Sequence, residues 1–257
     1  MSSQQVVFSA LGGLPEVKAG DCVASLIVRA LGAAEISPLP GDVFVIAQKI
    51  VSKSEGRAVD LRSVVPSENA RLIAEEVDKD PRLVEVILGQ TKRIVRKGMV
   101  APGKGRLIVE TVTETVMANA GVDLSNTGGD DIATLLPVDS DASARGIAAK
   151  LGDLTGVSPA VIVSDTAGRP WREGLVDIAI GCAGIKALED FRGKKDMRGS
   201  ELVATEMAVA DQIAAGAGIL MEKDSGCPVV LARGVEFESS QSGAGELLRK
   251  RSEDLFR

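Results

Sequence analysis

The stretch AVIVSDTAGRPWREG, residues 160–174, joins five apolar or small residues to an Asp-Thr pair, a glycine and two arginines. Ala160–Ser164 is too short and too β-branched for a helix, so it reads as a buried strand. That strand is expected to end in Asp165-Thr166, with a glycine turn following. A second apolar run, Val43–Ala47 in GDVFVIAQK, reads the same way. Around these, further strands are expected at Arg106–Val112, Thr115–Ala118 and Pro228–Ala232. Helices are expected at Glu68–Val77 behind Pro66-Ser67, and at Arg82–Val95, Asp139–Leu151, Glu201–Met221 and Gly245–Phe256. Strands and helices mix without alternating cleanly, which favours α+β with mixed sheets over a doubly wound fold. The 257 residues suffice for one large domain, and residues 75–205 could form an inserted lobe of two intimately packed ones.

Composition narrows the chemistry. There is no histidine, which excludes serine–histidine triads, imidazole acid–base work and histidine zinc sites. There is no tyrosine and a single tryptophan, so aromatic stacking cannot dominate recognition. A net charge of −6 argues against a nucleic-acid binder. No apolar run approaches the length of a membrane helix, and the N-terminus lacks a signal pattern, so neither membrane nor export is expected. Cys22, Cys182 and Cys227 are odd in number and lie in apolar contexts, which reads as buried thiols in a reducing cytoplasm. What remains is Asp, Glu, Lys, Arg, Ser, Thr and backbone amides, a set suited to hard cations and phosphate.

Several segments carry such residues. Asp165 and Thr166 place hard oxygen donors at a sheet's edge, and Arg169 and Arg172 could clamp phosphate or carboxylate. An Asx turn with solvated arginines accounts for them equally well. The proteolytic Asp-Thr-Gly pattern is broken by Ala167 and has no second copy. In NAGVDLSN, residues 119–126, Asp123 could ligate metal and Asn126 a phosphate oxygen, although an ordinary polar turn has the same composition. Lys53, in AQKIVSKSEGR, could neutralise a transferring phosphoryl group; taken singly, it reads better as a surface lysine. Glu222, after the alanine-rich helix, could supply a second metal ligand or simply mark a solvated exit. Neither a Walker phosphate loop nor G-x-G-x-x-G is present. The residues by themselves lead to a metal- and phosphate-handling enzyme and no further.

Taken in order, GGLPEVKAGD, GDVFVIAQKIVSKSEGR, NAGVDLSN, LLPVDSDASA, VIVSDTAGRPWREG, IAIGCAGIKALEDFRGKKD, ELVATEMAVADQIAAGAGILM and PVVLARG resemble the coenzyme F420-0:gamma-glutamyl ligase family nearly end to end. The resemblance implies a stand-alone ligase that adds L-glutamate to the lactyl carboxylate of the deazaflavin precursor F420-0. GTP would be split to GDP and phosphate through an acyl phosphate. It further implies Mg²⁺ or Mn²⁺ at two sites, K⁺, and an intertwined homodimer. By motif, Asp123 and Asp165 would bind one divalent ion, with Thr166 and Glu222 serving the second. Leu14, Pro15, Glu16, Val17, Gln48, Lys53 and Asn126 would contact the nucleotide. Such a reaction needs no histidine. Departures concentrate elsewhere: Arg198 stands where members carry Tyr, Thr113-Glu114-Thr115 replaces a His-Gly-Phe-like segment, and Ala167 replaces Phe. These leave room for a same-mechanism ligase with another carboxylate acceptor. A non-catalytic nucleotide- or metal-binding protein is the alternative from a different class.

Overall fold

A computed structural model describes residues 4–101, 103, 105–124, 131–221 and 226–255. In chain order these form β1 (Val7–Ala10), α1 (Val23–Ala33), β2 (Val43–Ala47), α2 (Gln48–Ser54), β3 (Ala58–Asp60), α3 (Glu68–Val77), α4 (Pro81–Gly89), β4 (Thr91–Met99), β5 (Gly105–Thr111) and β6 (Val116–Ala118). There follow β7 (Ile132–Thr134), α5 (Ser140–Thr155), β8 (Ala160–Arg169), β9 (Arg172–Ala183), β10 (Glu189–Asp190), β11 (Glu206–Met207), α6 (Val209–Gly218) and β12 (Val229–Arg233). The architecture is α+β with mixed sheets, as the sequence implies.

The main sheet runs β1-β12-β2-β8-β9. At its centre β2 and β8 pair in parallel, from Val43 opposite Ala160 to Ala47 opposite Ser164. Both strands are apolar without alternation because both faces are covered. Phe44, Ile46, Val161 and Val163 pack against α1, α2 and α5 on one face. Val43, Val45 and Ile162 pack against α6 on the other. Each such side chain, at most 1 % exposed, contributes roughly 1.5–3 kcal/mol by leaving water.

A third apolar cluster is built from residues 59–135, including Leu61, α3, α4, β5 and Leu135. Within the span 75–205, residues 140–183 belong instead to the main sheet and its covering helix. Gly105 lets β5 cross α3 closely: a Cβ there would lie 1.6 Å from the Val77 carbonyl oxygen.

Three helical expectations are corrected. The helix expected over Arg82–Val95 stops at Gly89, and Thr91–Met99 becomes β4, because its β-branched residues pair along β5. The helix expected over Glu201–Met221 is confined to Val209–Gly218. Of its first part only Glu206–Met207 is regular, as β11 against β10; the preceding Val203 and Thr205 are poor helix formers. The C-terminal helix is replaced by 3₁₀ turns at Ala244–Leu247 and Arg251–Glu253. They are tied down by Ala244 N–H donating to Asp141 Oδ1 at 2.8 Å and by Arg251 reaching Glu110. Of the cysteines, only Cys182 is buried; Cys22, at the start of α1, is exposed.

Before β2, the fully buried Asp42 takes two hydrogen bonds from the Arg233 guanidinium, at 2.8 and 2.7 Å, and one from Leu39 N–H. Arg233 also donates to Ser37 O. Removing the cation alone would strand a carboxylate in the core. Arg233→Ala is therefore expected to lower the free energy of unfolding by about 3–5 kcal/mol, measured by urea titration. A cost below about 1 kcal/mol would show that Asp42 reaches water some other way.

Candidate active site

The parallel pair brings two chain exits to one edge. Directly after Ala47 the chain enters α2, and directly after Ser164 comes Asp165. β8 does not end there, as the sequence suggested. It continues to Arg169 as a hairpin with β9, and the reversal is Pro170-Trp171 rather than a glycine turn, with Trp171 at φ 59°. Beyond the end of β2 the hairpin has one neighbouring strand fewer, and its residues become exposed.

Strand alternation separates Asp165 from Thr166. Val163 packs on the α1/α5 face and Ile162 on the α6 face, so Asp165 follows the first and Thr166 the second. Asp165 is partly buried and accepts a hydrogen bond from Thr166 N–H. Burial above all, then the nearby charges of Asp177 and Asp123, push its carboxyl up to about 6; Lys49 opposes the rise.

Asp123 arrives from a different direction. Asn119, Ala120 and Gly121 all adopt left-handed backbone, at φ 53°, 54° and 69°. For the two non-glycine residues this costs roughly 1–2 kcal/mol each. Gly121 is required here, since a Cβ would lie 2.7 Å from the Leu136 side chain. The turn delivers Asp123 to a backbone bridge with Thr134. There Lys49 Nζ lies 2.7 Å from Asp123 Oδ2. Strain of this kind collects where side chains must be aimed. Asn119 Oδ1 is buried without a hydrogen-bond partner among the described residues.

On the other face, Thr166 donates its hydroxyl to Asp177 Oδ1 at 2.7 Å. The expected nucleotide segment also assembles in part. Lys53, on the last turn of α2, reaches Glu16 at 2.5 Å, and Val17 is buried with Leu14 packed against the same core. Gln48 is 4 % exposed, its Oε1 accepting from Ser52 Oγ at 2.8 Å. Arg169 and Arg172 are not brought to the carboxylates. They sit at the hairpin tip, four residues beyond Asp165 and ~13 Å away at ~3.3 Å per residue, where Arg169 donates to Glu173 O. Asn126 and Glu222 lie outside the described residues.

Sequence reasoning missed Lys49 and Asp177. Lys49 adjoins Gln48 and follows the same strand. Asp177 was hidden because Arg172–Ala183 went unread as a strand. Plain hairpin pairing from Arg169 opposite Arg172 would also set Leu175, not Asp177, across from Thr166; a register shift beside Gly168 makes the difference.

Hard oxygen donors with a desolvated, under-neutralised carboxylate suit a divalent cation. Among the described residues no three acidic, thiol or imidazole groups close a cage on their own. One or two carboxylates completed by phosphate oxygens is, however, the usual arrangement for Mg²⁺ beside a nucleotide. The residues present fit such an ion. Along β9 lies a cavity of about 330 Å³, bordered by Thr113, Thr115, Ile178 and Asp211 among others. Ile178 is the strand partner of Asp165.

The chain as a whole has known relatives. Residues 13–234 match the F420-0:Gamma-glutamyl ligase family, and the chain belongs to it. It is 45 % identical over 248 residues to a protein of Methanothermobacter thermautotrophicus named coenzyme F420:L-glutamate ligase, covering 95 % of this chain and 96 % of that one. Proteins of the same name from Methanocaldococcus jannaschii and Methanopyrus kandleri are 43 % and 40 % identical, over 84 % and 96 % of this chain and 85 % and 100 % of theirs. Among the described residues no helix is long and apolar enough to cross a membrane.

The raised Asp165 carboxyl has a stability consequence. Its protonated form favours the fold below the ordinary pKa of 3.8, and that contribution is lost as pH rises through about 6. In metal-free protein, Asp165→Asn is expected to raise stability at pH 7.5 by about 1–3 kcal/mol. The gain should vanish near pH 4. An unchanged or lowered melting temperature at pH 7.5 would mean the carboxylate is already compensated.

Proposed function

We propose that this chain is a GTP- and divalent-metal-dependent ligase that joins L-glutamate to the lactyl carboxylate of coenzyme F420-0. GTP phosphorylates the carboxylate to an acyl phosphate, releasing GDP. The glutamate amine then attacks the acyl carbon, forming the amide and expelling phosphate. The observation that carries this reading is the meeting of Asp123, Lys49 and Asp165 at the carboxyl ends of β2 and β8, in a chain whose relatives bear that enzyme's name over nearly their full length.

Asp123 and Asp165 would hold one Mg²⁺ or Mn²⁺, with Thr166 and Glu222 serving a second. Such ions offset phosphate charge and align the transfer. The chain's own part is positioning. Leu14 to Val17, Gln48 and Asn126 line up the nucleotide, and Lys53 exchanges Glu16 for a phosphate oxygen as charge develops there. Lys49 keeps Asp123 neutralised and presents a cation toward Asp165. Arg169 and Arg172, at the hairpin tip, meet anionic groups of the larger substrate or of a second copy in a homodimer. K⁺ and a cytoplasmic location belong to the same proposal.

A second reading keeps the reaction and changes the acceptor. Thr113 and Thr115, from the segment that departs from the family pattern, border the cavity along β9. Small hydroxyls there replace bulkier groups, which favours a differently shaped carboxylate.

Phosphate release from GTP with Mn²⁺ and L-glutamate, with and without F420-0, is the test, product mass being followed in parallel. Precursor-dependent release with a gain of one glutamate is expected. Asp165→Ala should lower kcat by about a thousandfold, the effect of several kcal/mol of lost charge stabilisation. GTP binding with no release under F420-0 but turnover on another carboxylate would establish the second reading. Binding without release under any acceptor and amino acid would make the protein a sensor.

A further inference from the structure

Asp177 couples the Thr166 hydroxyl to the end of α6. It stands opposite Thr166 in the β8–β9 ladder, with its Oδ1 accepting the Thr166 hydroxyl proton at 2.7 Å. Its Oδ2 lies against the end of α6: a Cβ on Gly218 would come within 2.9 Å of it, so glycine is what admits the carboxylate. A helix C-terminus carries partial negative charge and repels an anion. Asp165 adds a second negative charge nearby. Among the described residues Asp177 makes no ion pair. A merely structural acceptor for a threonine hydroxyl need not be charged, and a neutral one would avoid both repulsions.

From these contacts we propose that Asp177 is a positioning residue for the cation site, resting on the metal-dependent reading above. By taking the Thr166 proton it turns the hydroxyl's lone pairs outward as a ligand, and its charge strengthens the hold on the ion. Outer partners of metal ligands typically act in this way, and losing one costs roughly 10–100-fold in metal affinity. The absence of a Cβ on Gly218 leaves room for the Asp177 carboxylate beside the Thr166 hydroxyl.

The test is Mn²⁺ binding to the full chain without nucleotide or acceptor, measured by electron paramagnetic resonance and by the Mn²⁺-induced shift in melting temperature. Asp177→Ala and the near-isosteric Asp177→Asn are compared with the wild type, each also on a Thr166→Val background. The expected result is Mn²⁺ binding about 10–100-fold weaker in Asp177→Ala and less weakened in Asp177→Asn, which still accepts the hydroxyl proton. On Thr166→Val the added effect should be small, because the two residues act as a unit. In turnover, saturating Mn²⁺ should recover most of kcat.

Unchanged Mn²⁺ affinity in folded Asp177→Asn and Asp177→Ala would overturn the proposal, as would an equal loss with and without Thr166. A wild-type chain that binds no Mn²⁺ would overturn it too. Asp177-dependent Mn²⁺ binding in a protein without ligase turnover would uphold it while removing the reaction assigned above. The failures of the two readings are thus separable.

Discussion

Everything at the site depends on the parallel pairing of β2 with β8, set between antiparallel neighbours. Parallel strands end at the same edge, so two exits of the chain emerge side by side although their residues are more than a hundred positions apart. One exit starts α2 with Gln48, Lys49 and Lys53; the other carries Asp165 and Thr166. Cations and anions are thereby delivered to one place by backbone hydrogen bonding rather than by long side chains. The pairing is secured by apolar residues on both faces, and its start is clamped by Asp42 and Arg233. A register slip would reverse which of Asp165 and Thr166 faces α6.

The site concentrates unfavourable terms that the core offsets. Asp165 is held in surroundings that lift its carboxyl to about 6, and Asp177 rests at the negative end of α6. Asn119 and Ala120 occupy left-handed backbone. Asp165 and the two left-handed residues each cost about 1–3 kcal/mol, and none of them stabilises the fold in return. Three apolar clusters supply the surplus. That division is expected of a protein whose site is built for a ligand carrying compensating charge.

Much of this was legible in the sequence, for identifiable reasons. VFVIA and AVIVS read as buried strands because burial on both faces leaves continuous apolar runs. The helix behind Ser67 was marked by its cap, and Asp139 likewise marked α5. Asp123 and Asp165 were found because polar residues directly after apolar runs stand out. What escaped is tertiary. The first half of the strand, Thr91–Val95, reads as the end of a helix until β5 lies beside it, and Arg172–Ala183 is too mixed in composition to declare its pairing. Asp177 depends on a register shift that no local rule foretells. The relation between Asn126, Glu222 and the carboxylates lies outside the described residues.

The register shift at Gly168 also bears on how such a chain can change over time. Ladder pairing from Gly168–Leu175 back to Ser164–Ala179 is continuous, while the bulged residues and the Pro170-Trp171 reversal lie beyond it. Lengthening or shortening the tip by pairs of residues leaves Thr166 opposite Asp177, with every donor on its original face. The hairpin therefore separates two inheritances: an inner ladder in which a single insertion between Thr166 and Asp177 would uncouple that pair, and an outer tip whose length leaves the pair in place.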